Sequence, residues 1–120
     1  MFVGYGGMLP AGETRMTTYW EESHRETAAG FDIVLSVTPE DMPPDWDVTE
    51  EELRKIENGM LAYFIARVEA RKEGITLGTA YLGGCCYDSV AQFVEASDYY
   101  GGMVEEAVQE ARTVIDKLTA

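Results

Sequence analysis

Phe31, Ile33, Leu35 and Val37 alternate with Asp32, Val34, Ser36 and Thr38, and this period of two predicts a β-strand. Upstream, Met16 to Glu22 (Met-Thr-Thr-Tyr-Trp-Glu-Glu) is rich in β-branched and aromatic residues and predicts a second strand. The polar run Ser23 to Gly30 lies between them as a long turn, so the two strands are expected to form an antiparallel hairpin. Residues 1–14 hold four glycines and a proline and no period. They are expected to be a mobile N-terminal segment ahead of a single domain over 15–120, with Met16 as an alternative start.

After the breaker-rich loop Pro39 to Asp47 the pattern changes to a helical one. Thr49 and Glu52 make a capping box, with Val48 and Leu53 placed for a hydrophobic staple. Leu53, Ile56, Met60, Phe64 and Val68 then recur at spacings of three and four, one apolar stripe on a helix from Thr49 to Glu73. Gly59 weakens its middle by roughly 1 kcal/mol, and Gly74 supplies a left-handed stop. At about 24 residues such a helix is roughly 36 Å long.

Ile75, Leu77, Thr79 and Tyr81 alternate again and predict a third strand, which Gly83-Gly84-Cys85-Cys86-Tyr87 turns. Ser89 to Gln92 is a second capping box, opening a helix with Val90, Phe93 and Val94 on its inner side until Gly101-Gly102 interrupts. The closing helix, 103–118, aligns Val104, Ala107, Val108, Ala111, Val114, Ile115 and Leu118. The fold expected is α+β: a small, mainly antiparallel sheet of about three strands with helices on one face, in the order ββαβαα. Its core is expected to hold Phe31, Ile33, Leu35, Leu53, Ile56, Phe64, Val68, Leu77, Val108 and Ile115.

Candidate chemistry changes this picture little. Cys85 and Cys86 are neighbours, too close for an unstrained disulfide, and they point to a reducing compartment and free thiols. With His24 as the single imidazole there is neither a zinc ligand set nor an obvious base for a thiolate. Gly83-Gly84 ahead of a helix lacks the Lys-Ser/Thr of a phosphate-binding loop. Asp41, Asp45 and Asp47 alternate with prolines and a tryptophan rather than with the residues of a calcium loop. No cofactor, metal or catalytic residue is expected. No run of 18 apolar residues occurs and no signal h-region opens the chain, so a cytoplasmic protein is expected. Tyr87, Tyr99, Tyr100 and Trp46 suit either a partner surface or the rim of the core.

Charge carries more. The formal net charge is −13, with nine bases against 22 acids, which argues against nucleic acid or an anionic membrane as a direct partner. No Lys or Arg occurs between Glu26 and Leu53 or between Glu73 and Ala111. Glu50, Glu51 and Glu52 suit a helix first turn, but Glu40, Asp41, Asp45 and Asp47 have no such structural reason. The candidate partner-binding set is therefore Glu40, Asp41, Asp45, Trp46, Asp47, Glu50 and Glu51. A secondary acidic face is formed by Glu105, Glu106 and Glu110, the last two repelling each other at i,i+4.

A small acidic chain without a catalytic kit resembles accessory proteins of phages and other mobile elements, among them anti-CRISPR and anti-restriction proteins. Leu82-Gly83-Gly84-Cys85-Cys86-Tyr87-Asp88-Ser89, with Asp98-Tyr99-Tyr100 and the closing helix, also resembles phage-type proteins. The resemblance implies a bacterial host and carboxylates presented where a defence complex expects phosphates. It assigns no individual residue. Three readings stay open: an inhibitor covering the basic nucleic-acid channel of a defence complex, a phage assembly module whose acidity serves solubility, and a small carboxylate-dependent hydrolase.

Overall fold

Two dipeptides, Ala29-Gly30 and Glu73-Gly74, hold positive φ at both positions, 57° and 86° in the first and 52° and 81° in the second. Paired positive φ values belong to two-residue turns whose twist matches that of a hairpin. Each joins two long strands in the computed structural model, which describes residues 19–41, 44 and 47–119. The elements are β1 (Glu21–Ala28), β2 (Phe31–Pro39), α1 (Glu50–Glu57), β3 (Ala62–Lys72), β4 (Ile75–Tyr87), α2 (Val90–Ala96) and α3 (Tyr99–Thr119). The strands form one antiparallel sheet in the order β1-β2-β3-β4.

The α+β class and the antiparallel sheet are as expected, but there are four strands and the order is ββαββαα. The helix expected over 49–73 is the largest correction. It ends at Glu57, because Gly59 takes φ 78° and the Met60 and Gly59 amides close back onto the Lys55 and Ile56 carbonyls. That pair of bonds is a Schellman stop, which satisfies the last free carbonyls of a helix. Phe64, Ala66, Val68 and Ala70 then fall on one face of β3. Gly74 is a hairpin turn, not a helix stop.

Four smaller corrections accompany it. Ser23 to Ala28 is strand rather than turn, since β2 pairs with it from Glu21 to Ala28. Tyr19 and Trp20 lie outside β1, and Met16 to Thr18, like the N-terminal segment 1–14, fall outside the described residues. Gly83 to Tyr87 continues β4 to its end, and Gly101-Gly102 sits inside α3 instead of breaking it. The break comes at Ser97, whose hydroxyl accepts from the amides of Tyr99 and Tyr100.

The core lies between one sheet face and α2–α3. Phe31, Ile33, Leu35, Phe64, Val68 and Val108 are buried there, with Leu77 and Ile115 partly so. Leu53 is 39% exposed and α1 buries none of its residues, so the expectation of Leu53 and Ile56 in the core fails with the long helix. Phe93 is fully buried and meets Phe64, Tyr87 and Tyr100 with ring centroids 5.6, 5.3 and 6.3 Å away. Gly78 lets α3 approach β4: a Cβ there would collide with the Ala107 carbonyl oxygen and lie 2.8 Å from the Ala111 amide nitrogen.

The other sheet face is mainly polar, with Val34 buried in it. Glu69, 8% exposed, accepts from Arg71 at 2.8 Å and from Thr76 at 3.0 Å, and Arg67 stands 3.7 Å from it under the Trp20 ring. Such burial of a carboxylate is tolerable only because cations and a hydroxyl surround it. Among the described residues no helix is long and apolar enough to cross a membrane.

Candidate functional site

The far end of the sheet is fixed by register. Pro39 pairs with Phe64 and Phe64 with Cys85, while the Glu40 amide donates to the Tyr63 carbonyl. The chain leaving β2, the start of β3 and the end of β4 therefore meet at one end, away from both hairpin turns.

β4 is irregular there. Phe64 pairs with Cys85 and Ala66 with Leu82, so β4 holds one residue more than β3 over the same step, a β-bulge. Gly84 takes φ 69°, a region that costs a side-chain-bearing residue far more than glycine. Its N–H is held at 2.8 Å by Glu40 Oε1. Beside the bulge opens a cleft of about 420 Å³, lined by Glu52, the Leu82 to Tyr87 stretch of β4 and Tyr99 of α3. Glu52 reaches it from the first turn of α1, where its side chain accepts from the Thr49 N–H at 3.0 Å and the Thr49 hydroxyl accepts from its amide. The capping box read from the sequence thus sets one wall of the cleft. The second is only half formed: Ser89 accepts from the Gln92 amide, but Gln92 accepts from Asp88.

Nucleophilic chemistry has little support at this place. Cys85 and Cys86 are free, and Cys85 is 4% exposed. Burial pushes the Cys85 thiol up to about 11, against a hydrogen bond from the Ala66 backbone, and the Glu40 charge adds to the rise. Cys86 is raised by burial and then by Glu52 and Asp88. Thiols in such surroundings stay protonated at neutral pH and react slowly. His24 belongs to β1, three strand spacings and roughly 14 Å across the sheet. There it contacts Glu26 at 3.2 Å, and Glu26 also accepts from the Tyr100 hydroxyl. Burial, and next that bond, raise the Tyr100 phenol above its ordinary range.

No protein-family model matches the chain, and neither a curated protein nor a solved structure is similar to it.

The acidic residues chosen from the sequence divide three ways. Asp41, Asp47, Glu50 and Glu51 are exposed, and only Glu51 has an ion-pair partner among the described residues, Lys55 at 3.7 Å. Glu40 is half-buried and holds the bulge, so its carboxylate serves the fold as well as the surface. Asp45 and Trp46 lie outside the described residues. On α3, Glu105 and Glu106 are exposed, whereas Glu110 accepts from the Thr79 amide at 2.7 Å and so has a structural reason for its place. Among the described residues no group of three or more His, Cys, Asp or Glu side chains is placed to hold a metal ion.

The sequence missed the cleft and with it Glu52, Asp88 and Asp98 as surface charges. Asp88 and Asp98 follow β4 and α2, and Asp98 is close enough to help raise the Tyr87 phenol, which burial raises first. In the sequence they stood out only by the lack of any Lys or Arg around them and by their place in the stretches that resemble phage-type proteins. Of the four aromatics left open, Tyr87 and Tyr100 join the core and Tyr99 stands 59% exposed at the cleft.

Proposed function

We propose that this chain is a non-enzymatic acidic module that docks on a basic, nucleic-acid-binding protein and covers the surface meant for phosphates, in the manner of anti-CRISPR and anti-restriction inhibitors. The observation that supports it is where the charge sits. The described residues of 40–58 and those of 88–98 follow β2 and β4 where both strands end, at the cleft end of the sheet. They include Glu40, Asp41, Asp47, Glu50, Glu51, Glu52, Glu57, Asp88, Glu95 and Asp98 against only Arg54 and Lys55. Elsewhere Arg25, Arg67 and Arg71 are matched by Glu22 and Glu69 on the polar sheet face, and a smaller excess, Glu105 and Glu106, stays exposed on α3. Unbalanced charge on one end steers a cationic partner and weakens with salt, because exposed charges are screened beyond about 8 Å at physiological ionic strength.

The assembly-module reading draws on Met60, Tyr99 and Leu53, exposed apolar groups on α1, just after it and at the cleft. The two differ in their salt dependence. Affinity capture from a bacterial lysate compares the parent with a variant in which Asp41, Asp47, Glu50 and Glu51 become Asn or Gln. The inhibitor reading expects basic nucleic-acid-binding proteins to be captured at low salt by the parent alone, and DNA to compete for them. Equal capture by both proteins, unchanged at high salt, would replace it with the assembly module. The hydrolase reading draws no support from the cleft, where Glu52 already accepts from the Thr49 amide.

A further inference from the structure

The two edges of the sheet are built differently. β1 carries Glu21, Glu22, His24, Arg25 and Glu26 within its eight residues, the charged type of edge that discourages strand pairing. β4 runs for 13 residues without an Asp, Glu, Lys or Arg. Its first half is closed, since α3 lies against Gly78 and Glu110 takes the Thr79 amide. In its second half Glu40 takes the Gly84 amide and the Cys85 thiol donates to the Leu82 carbonyl, but among the described residues no strand lies alongside. Tyr81 is 63% exposed, Gly83 and Gly84 are exposed, and the cleft opens beside them.

We infer that the β4 edge from Tyr81 to Tyr87 takes an extended, Lys- or Arg-bearing segment of a partner protein as a fifth strand, with one cationic side chain in the cleft. This rests on the acidic-module reading and names where and how that module binds. Strand addition draws affinity from main-chain hydrogen bonds and selectivity from pockets for alternate side chains. The charge around the pocket chooses the occupant. Glu52 lines it, Glu40 and Asp88 lie near enough to act on the two thiols, and no Lys or Arg is among its lining residues. Besides the two cysteines, the rest of the lining, Leu82, the glycines, Tyr87 and Tyr99, suits the methylene stem of such a side chain.

The test is amide chemical-shift mapping on the full-length, ¹⁵N-labelled chain with three blocked peptides of about six residues, the usual length of one strand. One alternates Val with Arg, one alternates Val with Glu, and the third is the Val-Arg peptide N-methylated at alternate amides. Expected is a shift of the Tyr81 to Tyr87 and Tyr99 amides by the Val-Arg peptide. Its binding should be about tenfold or more tighter than either control, a gap of roughly 1.4 kcal/mol. Equal binding of the N-methylated peptide overturns strand addition. Shifts confined to Asp41, Asp47, Glu50 and Glu51 overturn the β4 site and leave the acidic-module reading standing. Binding of the Val-Arg peptide no tighter than that of the Val-Glu peptide at low salt removes both.

Discussion

At Gly78 one hydrogen atom decides how near α3 can lie to the sheet. Ala there must push the Ala107 carbonyl away, and overpacking of this kind typically costs 1–3 kcal/mol. Gly78→Ala is expected to destabilise by about 3 kcal/mol. Gly102→Ala meets nothing within 4 Å on an exposed helix face and should stabilise by about 1 kcal/mol. Urea midpoints at unchanged slope measure both. Cys85 predicts a pH effect. Its thiol is raised from 9.0 to about 11, so the folded state keeps its proton where the unfolded state loses it. Stability is therefore full below pH 9.0 and falls as pH rises toward about 11. Tyr100, also raised, extends the fall in the same direction above its ordinary value. Urea titrations across that range should show the decline, and iodoacetamide at neutral pH should label Cys86 before Cys85.

At the scale of elements, α1 and β3 show how a pattern misleads. Met60, Phe64 and Val68 are four apart, a spacing that serves a helix face and a strand face alike. Gly59 separates the two outcomes. Read as an interior glycine it weakens a helix, whereas in the structure it ends one and lets β3 enter the sheet between β2 and β4. Tyr63, Phe64, Ile65 and Val68 are also good strand formers. The turns were hidden for a related reason: Ala-Gly and Glu-Gly lack the Asn or Asp that usually marks a turn with two positive φ values. The capping box was legible because it is local, a hydroxyl and a carboxylate three residues apart. Since α1 buries no residue, Thr49→Ala should cost the helix about 1 kcal/mol. Amide exchange in 50–57 should then speed up several-fold while the global urea midpoint stays close to that of the parent. A large fall in that midpoint would mean that α1 supports the core.

For the whole molecule, the net charge of −13 opposes folding most where the carboxylates crowd, at the cleft end. Added salt should raise the thermal midpoint by a few degrees. Neutralising Asp41 and Asp47, which lie outside α1 and have no ion-pair partner among the described residues, should stabilise the chain slightly at low salt. Thermal scans at two salt concentrations measure this. A variant less stable than the parent would show that these carboxylates support the fold.

The sequence alone determined what depends on neighbours along the chain: the β2 alternation, the α1 cap, the amphipathic face of α3 and the long stretches without a base. Tertiary structure decided what depends on distant partners. The spacing at Phe64 and Val68 became a strand because two strands flank it, burying those side chains while pairing the backbone. Glu40 and Glu110, alike as exposed acids in sequence, each hold an amide of β4. The cleft exists because Glu52, Gly84 and Tyr99 converge from three elements, and no local pattern encodes such a meeting.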